Sequence, residues 1–130
     1  MSTDFFDPPK RYGIHIDGNG KFNMDNYEAL NKLIYDVAKA SGMNIINVST
    51  NHVFNNTPND GYSVLALITT SHISIHTWPA YNYFMFDLVS CKPFDQNAIL
   101  RVLAEYISMG DVAIEHTGWD RMKNDDKRIN

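Results

Sequence analysis

Apolar side chains recur every three or four positions between Asp25 and Gly42, which is the period of a helix with one buried face. Asp25 and Glu28 have the spacing of a capping box at the start of this helix, and Gly42 is expected to end it. A second helix is predicted from Asp95, its N-cap, to Gly110. The apolar positions are Leu30, Leu33, Ile34, Val37 and Ala38 in the first helix, and Ile99, Val102, Leu103, Tyr106 and Ile107 in the second.

Five further segments are rich in β-branched and aromatic residues, which favour strands. Gly18-Asn19-Gly20 is expected to turn the chain after the first of them. The polar residues 55–61 are expected to form a hairpin connection, and the stretch after residue 70 is predicted to be a loop. The five segments are 12–17, 44–54, 62–70, 83–91 and 112–116.

The resulting element order, β-α-β-β-β-α-β, indicates the α+β class. Two helices against a mostly antiparallel sheet form a two-layer sandwich. The 130 residues fit a single domain, 1–130, and the apolar fraction of 44% is enough for one core. Residues 1–10, which include Pro8 and Pro9, and the polar residues 120–130 are expected to be loose termini.

Hydropathy and charge argue against several classes of function. No apolar run reaches the roughly 18 to 20 residues that cross a bilayer, and residues 1–10 lack the features of a secretion signal. We therefore expect a cytoplasmic protein with no membrane partner. The net charge is −4 and no basic patch is present, so a nucleic acid is not expected as a partner. The single cysteine, Cys91, cannot form an internal disulfide.

Residues 70–79 concentrate chemistry, because they contain two serines and two histidines directly after a predicted strand. One interpretation is hydrolysis by Ser71 or Ser74 with a histidine base, although no Gly-x-Ser-x-Gly motif is present. A second is a metal held by His72, His76 and Cys91, but no Cys-x-x-Cys or His-Glu-x-x-His pattern supports it and no metal is predicted. A third is structural: the side chains satisfy a turn and a sheet edge.

A fourth interpretation directs Ser71 against its own backbone. Its hydroxyl attacks the carbonyl of Thr70, converting the amide into an ester. Removal of the serine α-proton then splits the chain and leaves a pyruvoyl group on the new N-terminus. This chemistry needs a proton shuttle, such as His76, and the ketone then replaces pyridoxal phosphate as an electron sink for a substrate amine. Cys91 is a suitable acid for returning a proton to the substrate.

The segment Ser71-His72-Ile73-Ser74-Ile75-His76-Thr77-Trp78-Pro79, followed by Asp87 and Cys91, closely resembles the prokaryotic S-adenosylmethionine decarboxylase proenzymes. The resemblance extends from about residue 12 to about residue 116. It implies self-cleavage between Thr70 and Ser71 and a covalent pyruvoyl cofactor derived from Ser71. It also implies decarboxylation of S-adenosylmethionine through a Schiff base, for polyamine (spermidine) biosynthesis.

The same resemblance implies roles for further residues. Ser63 and His76 would serve processing, Cys91 would be the catalytic acid, and Phe54 and Trp78 would lie near the adenosyl group of the substrate. It also implies a homodimer with sites shared between protomers. Ser63 and Ser71 are eight residues apart, about 26 Å along a straight strand. If both act on one bond, the strand must bend or Ser63 must come from the partner chain.

Two positions depart from the family pattern. Thr70 replaces the glutamate that usually precedes the serine, and its branched side chain is expected to affect the rearrangement. Ala80 replaces the glutamate expected to hold the ribose hydroxyls, which puts the nucleoside substrate in doubt. Arginine or ornithine is therefore the alternative substrate. A homologue that is neither processed nor catalytic is the alternative outside enzymes.

Overall fold

The structure, a computed structural model, describes residues 10–23, 26–69 and 71–118. The predicted loose termini, residues 1–10 and 120–130, lie outside the described residues except for Lys10. Asp25, predicted to begin the capping box, and Thr70, on one side of the predicted cleavage point, also lie outside them.

The described chain contains six strands and two α-helices in the order β-α-β-β-β-β-α-β, so the predicted α+β class is confirmed. A single turn of 3-10 helix, Pro79–Tyr81, joins the fourth and fifth strands. The elements are β1 (Tyr12–Phe22), α1 (Tyr27–Ala40), β2 (Ile45–Val53), β3 (Gly61–Ile68), β4 (Ser71–Trp78), β5 (Tyr83–Ser90), α2 (Gln96–Tyr106) and β6 (Ile107–Thr117).

All six strands form one antiparallel sheet in the order β2-β3-β4-β5-β1-β6. Both helices pack on the same face of this sheet, since their apolar residues share one buried core with the inward side chains of the strands. The largest core side chains include Ile14, Ile16, Leu33, Ile34, Ile73, Ile75, Phe84, Phe86, Leu88 and Ile99. The sequence therefore folds into the predicted two layers.

The structure contains one strand more than predicted, because residues 71–78 form β4 where a loop was expected. Ile73, Ile75 and Thr77 alternate into the core, whereas His72 and His76 point the other way. The alternation has the period of a strand, but the serines, histidines and threonine around the two isoleucines gave the segment the composition of a loop. β4 is an interior strand, hydrogen-bonded to β3 and β5.

Two predicted element ends were wrong. β1 does not turn at Gly18-Asn19-Gly20 but continues to Phe22, with a shift in its register to β6 between the two glycines. A Cβ on Gly18 would lie 2.3 Å from the carbonyl oxygen of Asp111, so this glycine serves a close approach between strands. The second helix ends at Tyr106 rather than Gly110, because Ile107 already begins β6.

The helix starts follow from side-chain caps. Asn26 is the N-cap of α1, and its Oδ1 accepts a hydrogen bond from the backbone N–H of Ala29 at 2.8 Å. Asp95 caps α2 as predicted, accepting hydrogen bonds from the N–H groups of Asn97 and Ala98. Such caps satisfy N–H groups that have no partner within the helix.

Candidate active site

Ser71 is the first residue of β4 and lies opposite Ile68 in β3 and Ser90 in β5. Its side chain is partly buried. By strand alternation it belongs to the same face as Ile73, which is the face that the helices cover. Its Oγ lies 3.3 Å from Nδ1 of His72.

Cys91 directly follows Ser90, the last residue of β5. Residues opposite each other in antiparallel strands have Cα atoms roughly 4.5 to 5.5 Å apart, so Cys91 is one residue beyond the direct partner of Ser71. The thiol is exposed. The chain leaving β5 is held by the Ser90 hydroxyl, which accepts a hydrogen bond from the N–H of Lys92 at 2.9 Å. The backbones of Ser71 and Cys91 therefore lie on neighbouring strands, one residue out of direct register, and we call these two residues the cleavage end.

Ser63 and His76 lie opposite each other in β3 and β4. The Ser63 hydroxyl is 2.8 Å from Nδ1 of His76, a hydrogen-bonding distance. Both side chains are partly buried on the sheet face opposite the helices. This face, which we call the uncovered face, also carries His15, Asp17 and Asp87. A hydroxyl bonded to an imidazole is an arrangement able to move a proton.

Aromatic residues lie at the same end of the sheet as this hydroxyl–imidazole pair. The Trp78 ring lies 6.3 Å from that of His76 and 5.6 Å from that of Tyr83, centroid to centroid. Phe54 directly follows β2 at the same end of the sheet, and it is 65% exposed. We call Ser63, His76, Trp78 and Phe54 the dyad end.

The cleavage end and the dyad end are far apart within one chain. Ser71 and His76 are five residues apart in β4, which corresponds to about 17 Å. Odd spacing also places their side chains on opposite faces of the sheet. Of the predicted site residues, Ser63 contacts His76, whose ring is near that of Trp78, and Ser71 lies one residue out of register with Cys91, but the two groups are not joined.

His15 forms a cluster of ionisable groups on the uncovered face that the sequence did not predict. Its Nδ1 lies 2.8 Å from Asp87 and its Nε2 lies 3.2 Å from Asp17. Partial burial lowers the pKa of His15, but the two carboxylates outweigh it, so the pKa is raised above 6.5. A cavity of about 330 Å³, lined in part by Arg11 and Glu115, adjoins the cluster. The sequence did contain an indication of this cluster, because residues two apart in a strand, such as His15 and Asp17, lie on the same face.

The sequence also did not predict a pair between His52 and Asp60, whose side chains are hydrogen-bonded at the two ends of the β2–β3 connection. The predicted hairpin could have indicated this pair, since the pairing of its two strands places residues 52 and 60 near each other. Within residues 10–23, 26–69 and 71–118, no three His, Cys, Asp or Glu side chains are grouped closely enough for a metal ion. In the same ranges no helix combines the length and apolar character that a membrane crossing requires.

Comparison with known proteins gives a consistent family. The sequence model of the family described as S-adenosylmethionine decarboxylase matches residues 15–118. An arginine decarboxylase proenzyme of Caldivirga maquilingensis is 37% identical over 92 residues, covering 64% of this chain and 67% of that protein. An S-adenosylmethionine decarboxylase proenzyme of Aeropyrum pernix is 31% identical over 85 residues, covering 62% of each chain.

The fold matches as well. The crystal structure of the adenosylmethionine decarboxylase from Aquifex aeolicus superimposes with a TM-score of 0.67 over 85% of this chain and 90% of that one, at 20% identity. The matches to the two sequence relatives span about two thirds or less of their lengths. The activities in the names of these relatives differ, one being an arginine and the other an S-adenosylmethionine decarboxylase.

Proposed function

Because the chain belongs to the S-adenosylmethionine decarboxylase family, we propose that it is a self-cleaving decarboxylase with a pyruvoyl cofactor formed from Ser71. The observation that carries this proposal is the position of Ser71 at the start of β4, paired with Ser90, the residue before the exposed Cys91. The proposed precursor serine and the proposed proton donor thus lie one residue out of register on neighbouring strands.

The proposed maturation uses only atoms of the chain and water. The Ser71 hydroxyl attacks the carbonyl carbon of residue 70, and the amide becomes an ester. Loss of the Ser71 α-proton eliminates the carboxylate of residue 70, which becomes the new C-terminus. Water then releases the Ser71 nitrogen as ammonia and leaves a ketone. The pairing of β4 with β3 on one side and β5 on the other would hold Ser71 in place during these steps.

The residues at the cleavage end fit this cofactor. When formed, the ketone supplies an electron sink for a substrate that carries an amine beside its carboxylate. Cys91, one residue past the strand partner of Ser71, would return a proton to the substrate carbon after carbon dioxide leaves. The partly buried position of Ser71 limits the access of water to the reacting atoms.

We further propose that the protein works as a homodimer in which Ser63 and His76 of one copy serve Ser71 of the other. The separation of about 17 Å and the opposite sheet faces support this, since one chain cannot bring the pair to its own Ser71 without unpairing β4. A two-fold axis converts two incomplete halves into two complete sites. Leu65 and Leu67, both about half exposed on the uncovered face, are apolar surface available to a second copy.

S-adenosylmethionine is the proposed substrate, which places the reaction in spermidine biosynthesis. The rings of Trp78 and Tyr83, with the exposed ring of Phe54, provide the flat apolar surfaces on which a purine stacks. Trp78 and Phe54 belong to the dyad end and Tyr83 adjoins it, so in the proposed dimer these rings would face the cleavage end of the partner.

Arginine is the second candidate substrate, and Ala80 is the observation that favours it. Ala80 is exposed in the 3-10 turn after Trp78, where a glutamate would be needed to hold ribose hydroxyls. A methyl group offers no hydrogen bond to a ribose, so a site without that carboxylate loses much of its preference for a nucleoside. The relative from Caldivirga maquilingensis, named an arginine decarboxylase proenzyme, supports arginine as the candidate. Ornithine, a shorter analogue of arginine, is included with it.

Mass spectrometry of the purified, denatured protein tests the proposal. We expect two pieces, residues 1–70 and 71–130, the second with a blocked N-terminus. Ser71→Ala should stay whole, and Cys91→Ala should be cut but release carbon dioxide at least about a hundredfold more slowly. An intact wild-type chain would refute the enzymatic proposal and leave the non-catalytic homologue.

Release of carbon dioxide from S-adenosylmethionine, arginine and ornithine, measured side by side on the cut protein, decides the substrate. A higher kcat/KM for S-adenosylmethionine supports the first candidate. A preference for arginine or ornithine contradicts it and supports the role given to Ala80. Ala80→Glu should then shift the preference toward the nucleoside, because it returns a carboxylate to the turn.

A further inference from the structure

The loop 54–60, which joins β2 to β3, holds an unusual backbone conformation at its first residue. Phe54 has a φ of +54° and Asn56 has a φ of +66°, in the left-handed region that side chains with a Cβ seldom adopt. A phenylalanine stays there only when surrounding contacts hold it. The ring of Phe54 nevertheless is 65% exposed, so packing of the ring in the core is not what fixes it.

A chain of hydrogen bonds connects Phe54 to the opposite end of the loop. The carbonyl of Phe54 accepts from the hydroxyl of Thr57 at 2.6 Å and from its N–H at 3.2 Å. The carbonyl of Thr57 accepts from the N–H of Asp60 at 3.0 Å. The carboxyl group of Asp60 is hydrogen-bonded to Nε2 of His52.

His52 links this chain to the sheet. Its ring stacks on that of Tyr62, with centroids 4.8 Å apart and planes at 22°, and the two residues lie opposite each other in β2 and β3. Tyr62 packs against the core, and its N–H donates to the hydroxyl of Thr77 at 3.0 Å. His52 is therefore held between a ring fixed by the sheet and a carboxylate that belongs to the loop.

The loop also emerges beside the aromatic rings of the dyad end. A Cβ on Gly61, the first residue of β3, would lie 1.8 Å from the carbonyl oxygen of Thr77, the residue before Trp78. This close approach places the base of the loop against β4 at Trp78. Phe54 and Trp78 thus project from neighbouring backbone segments at one end of the sheet.

From these contacts we propose that His52 is a positioning residue, which acts through Asp60 and the loop to hold the Phe54 ring as a wall of the substrate site. The inference rests on the proposed function, because it takes Phe54 to contact the substrate. His52 itself touches neither Ser71 nor the Ser63–His76 pair. Its loss should weaken substrate binding and leave maturation intact.

The test compares His52→Ala with Phe54→Ala and with the double variant. Each should be cut at residue 71 as completely as the wild type. His52→Ala should raise KM for the preferred substrate about tenfold while kcat changes less than about twofold, because the loop orients the substrate and supplies no reacting group. If His52 acts through Phe54, the double variant should show the KM of Phe54→Ala alone, whereas independent effects multiply.

Two further variants and one non-kinetic measurement complete the design. His52→Gln retains a donor for Asp60 and should recover much of the KM. Asn59→Ala, exposed in the same loop and contributing its backbone N–H at 3.2 Å from Thr57 Oγ1, is the matched control and should resemble the wild type. Amide hydrogen exchange at Thr57 and Asp60 should accelerate in His52→Ala, and exchange at Lys92, far from the loop, should not.

Three results would each overturn the proposal. The first is a double variant whose KM increase is the product of the two single increases. The others are an unchanged KM and an unchanged amide exchange in His52→Ala. Impaired cutting in both His52→Ala and His52→Gln would do the same, because it would mean a role in folding or maturation. The proposed function fails separately, through an uncut wild-type chain, and in that case the exchange measurement still decides whether His52 holds the loop.

Discussion

Sharing of the site between two copies is tested by mixing two inactive chains. Ser71→Ala removes the attacking hydroxyl, and His76→Ala removes the imidazole that bonds Ser63. Neither chain alone should cut itself. The first has no nucleophile, and the second loses a proton shuttle, where general acid–base catalysis contributes roughly 10²- to 10⁴-fold to a rate.

The structure sets the expectation for the mixture. Within one chain, His76 lies about 17 Å along β4 from Ser71, whereas proton transfer requires hydrogen-bonding contact of about 3 Å. A mixed dimer restores one complete site, made of Ser71 from the His76→Ala chain and His76 from the Ser71→Ala chain. Random pairing of equal amounts makes about half of the dimers mixed, so about a quarter of all chains should be cut.

Co-expression followed by mass spectrometry reads out the result, because the two chains differ in mass. Every fragment that begins at residue 71 should have the mass expected from the His76→Ala chain, and the Ser71→Ala chain should stay whole. A mixture in which the His76→Ala chain remains uncut, alongside a wild type that is fully cut, would refute sharing and mean that each chain matures alone. Cutting of the His76→Ala chain in isolation would remove His76 from maturation.

Gly61→Ala should lower the free energy of unfolding by about 3 kcal/mol, because its Cβ would lie 1.8 Å from the carbonyl oxygen of Thr77. Gly110→Ala is the control, since its Cβ meets nothing closer than 3.5 Å, and equal urea midpoints for the two variants would contradict the expectation. His15→Gln should cost about 0.5 to 1 kcal/mol near pH 5.5 and less near pH 9. The raised pKa of His15 contributes stability that is complete below pH 6.5 and is lost as the pH rises through the folded value, so a cost that does not vary with pH would count against the contact with Asp87.

The spacing of apolar residues was sufficient to predict an element and its buried face where that face is uniformly apolar. Leu30, Leu33, Ile34, Val37 and Ala38 were predicted as the inner face of α1, and all five are buried. The N-cap Asp95 was also predicted correctly, because a carboxylate before an apolar repeat has a specific local function. These features depend on residues close in sequence.

Features that depend on distant partners were not predictable in the same way. Ile107 fits the helical period of α2 but becomes the first residue of β6, paired with Phe22 of β1. The numerous polar residues of β4 favoured a loop, although an interior strand needs only one apolar face. Ile73 and Ile75 supply that face.

The sequence named candidate site residues one by one, but it did not predict how they are arranged. The resemblance named Ser63 and His76, but their contact follows from the register of β3 against β4, which the sequence pattern alone does not specify. The same holds for His52, whose partners Asp60 and Tyr62 are reached only once the hairpin is formed.

The position of β1 between β5 and β6 has a consequence for the lifetime of the matured protein. A cut before Ser71 gives one polypeptide carrying β1 to β3 and another carrying β4 to β6, and the strands of the two are interleaved in a single sheet. If the proposed cut occurs, the shared sheet should hold the two pieces together without a covalent link. Formation of one sheet would then be a second-order encounter between two peptides and should slow on dilution, whereas the uncut precursor can form the same sheet within a single chain before any dimer assembles.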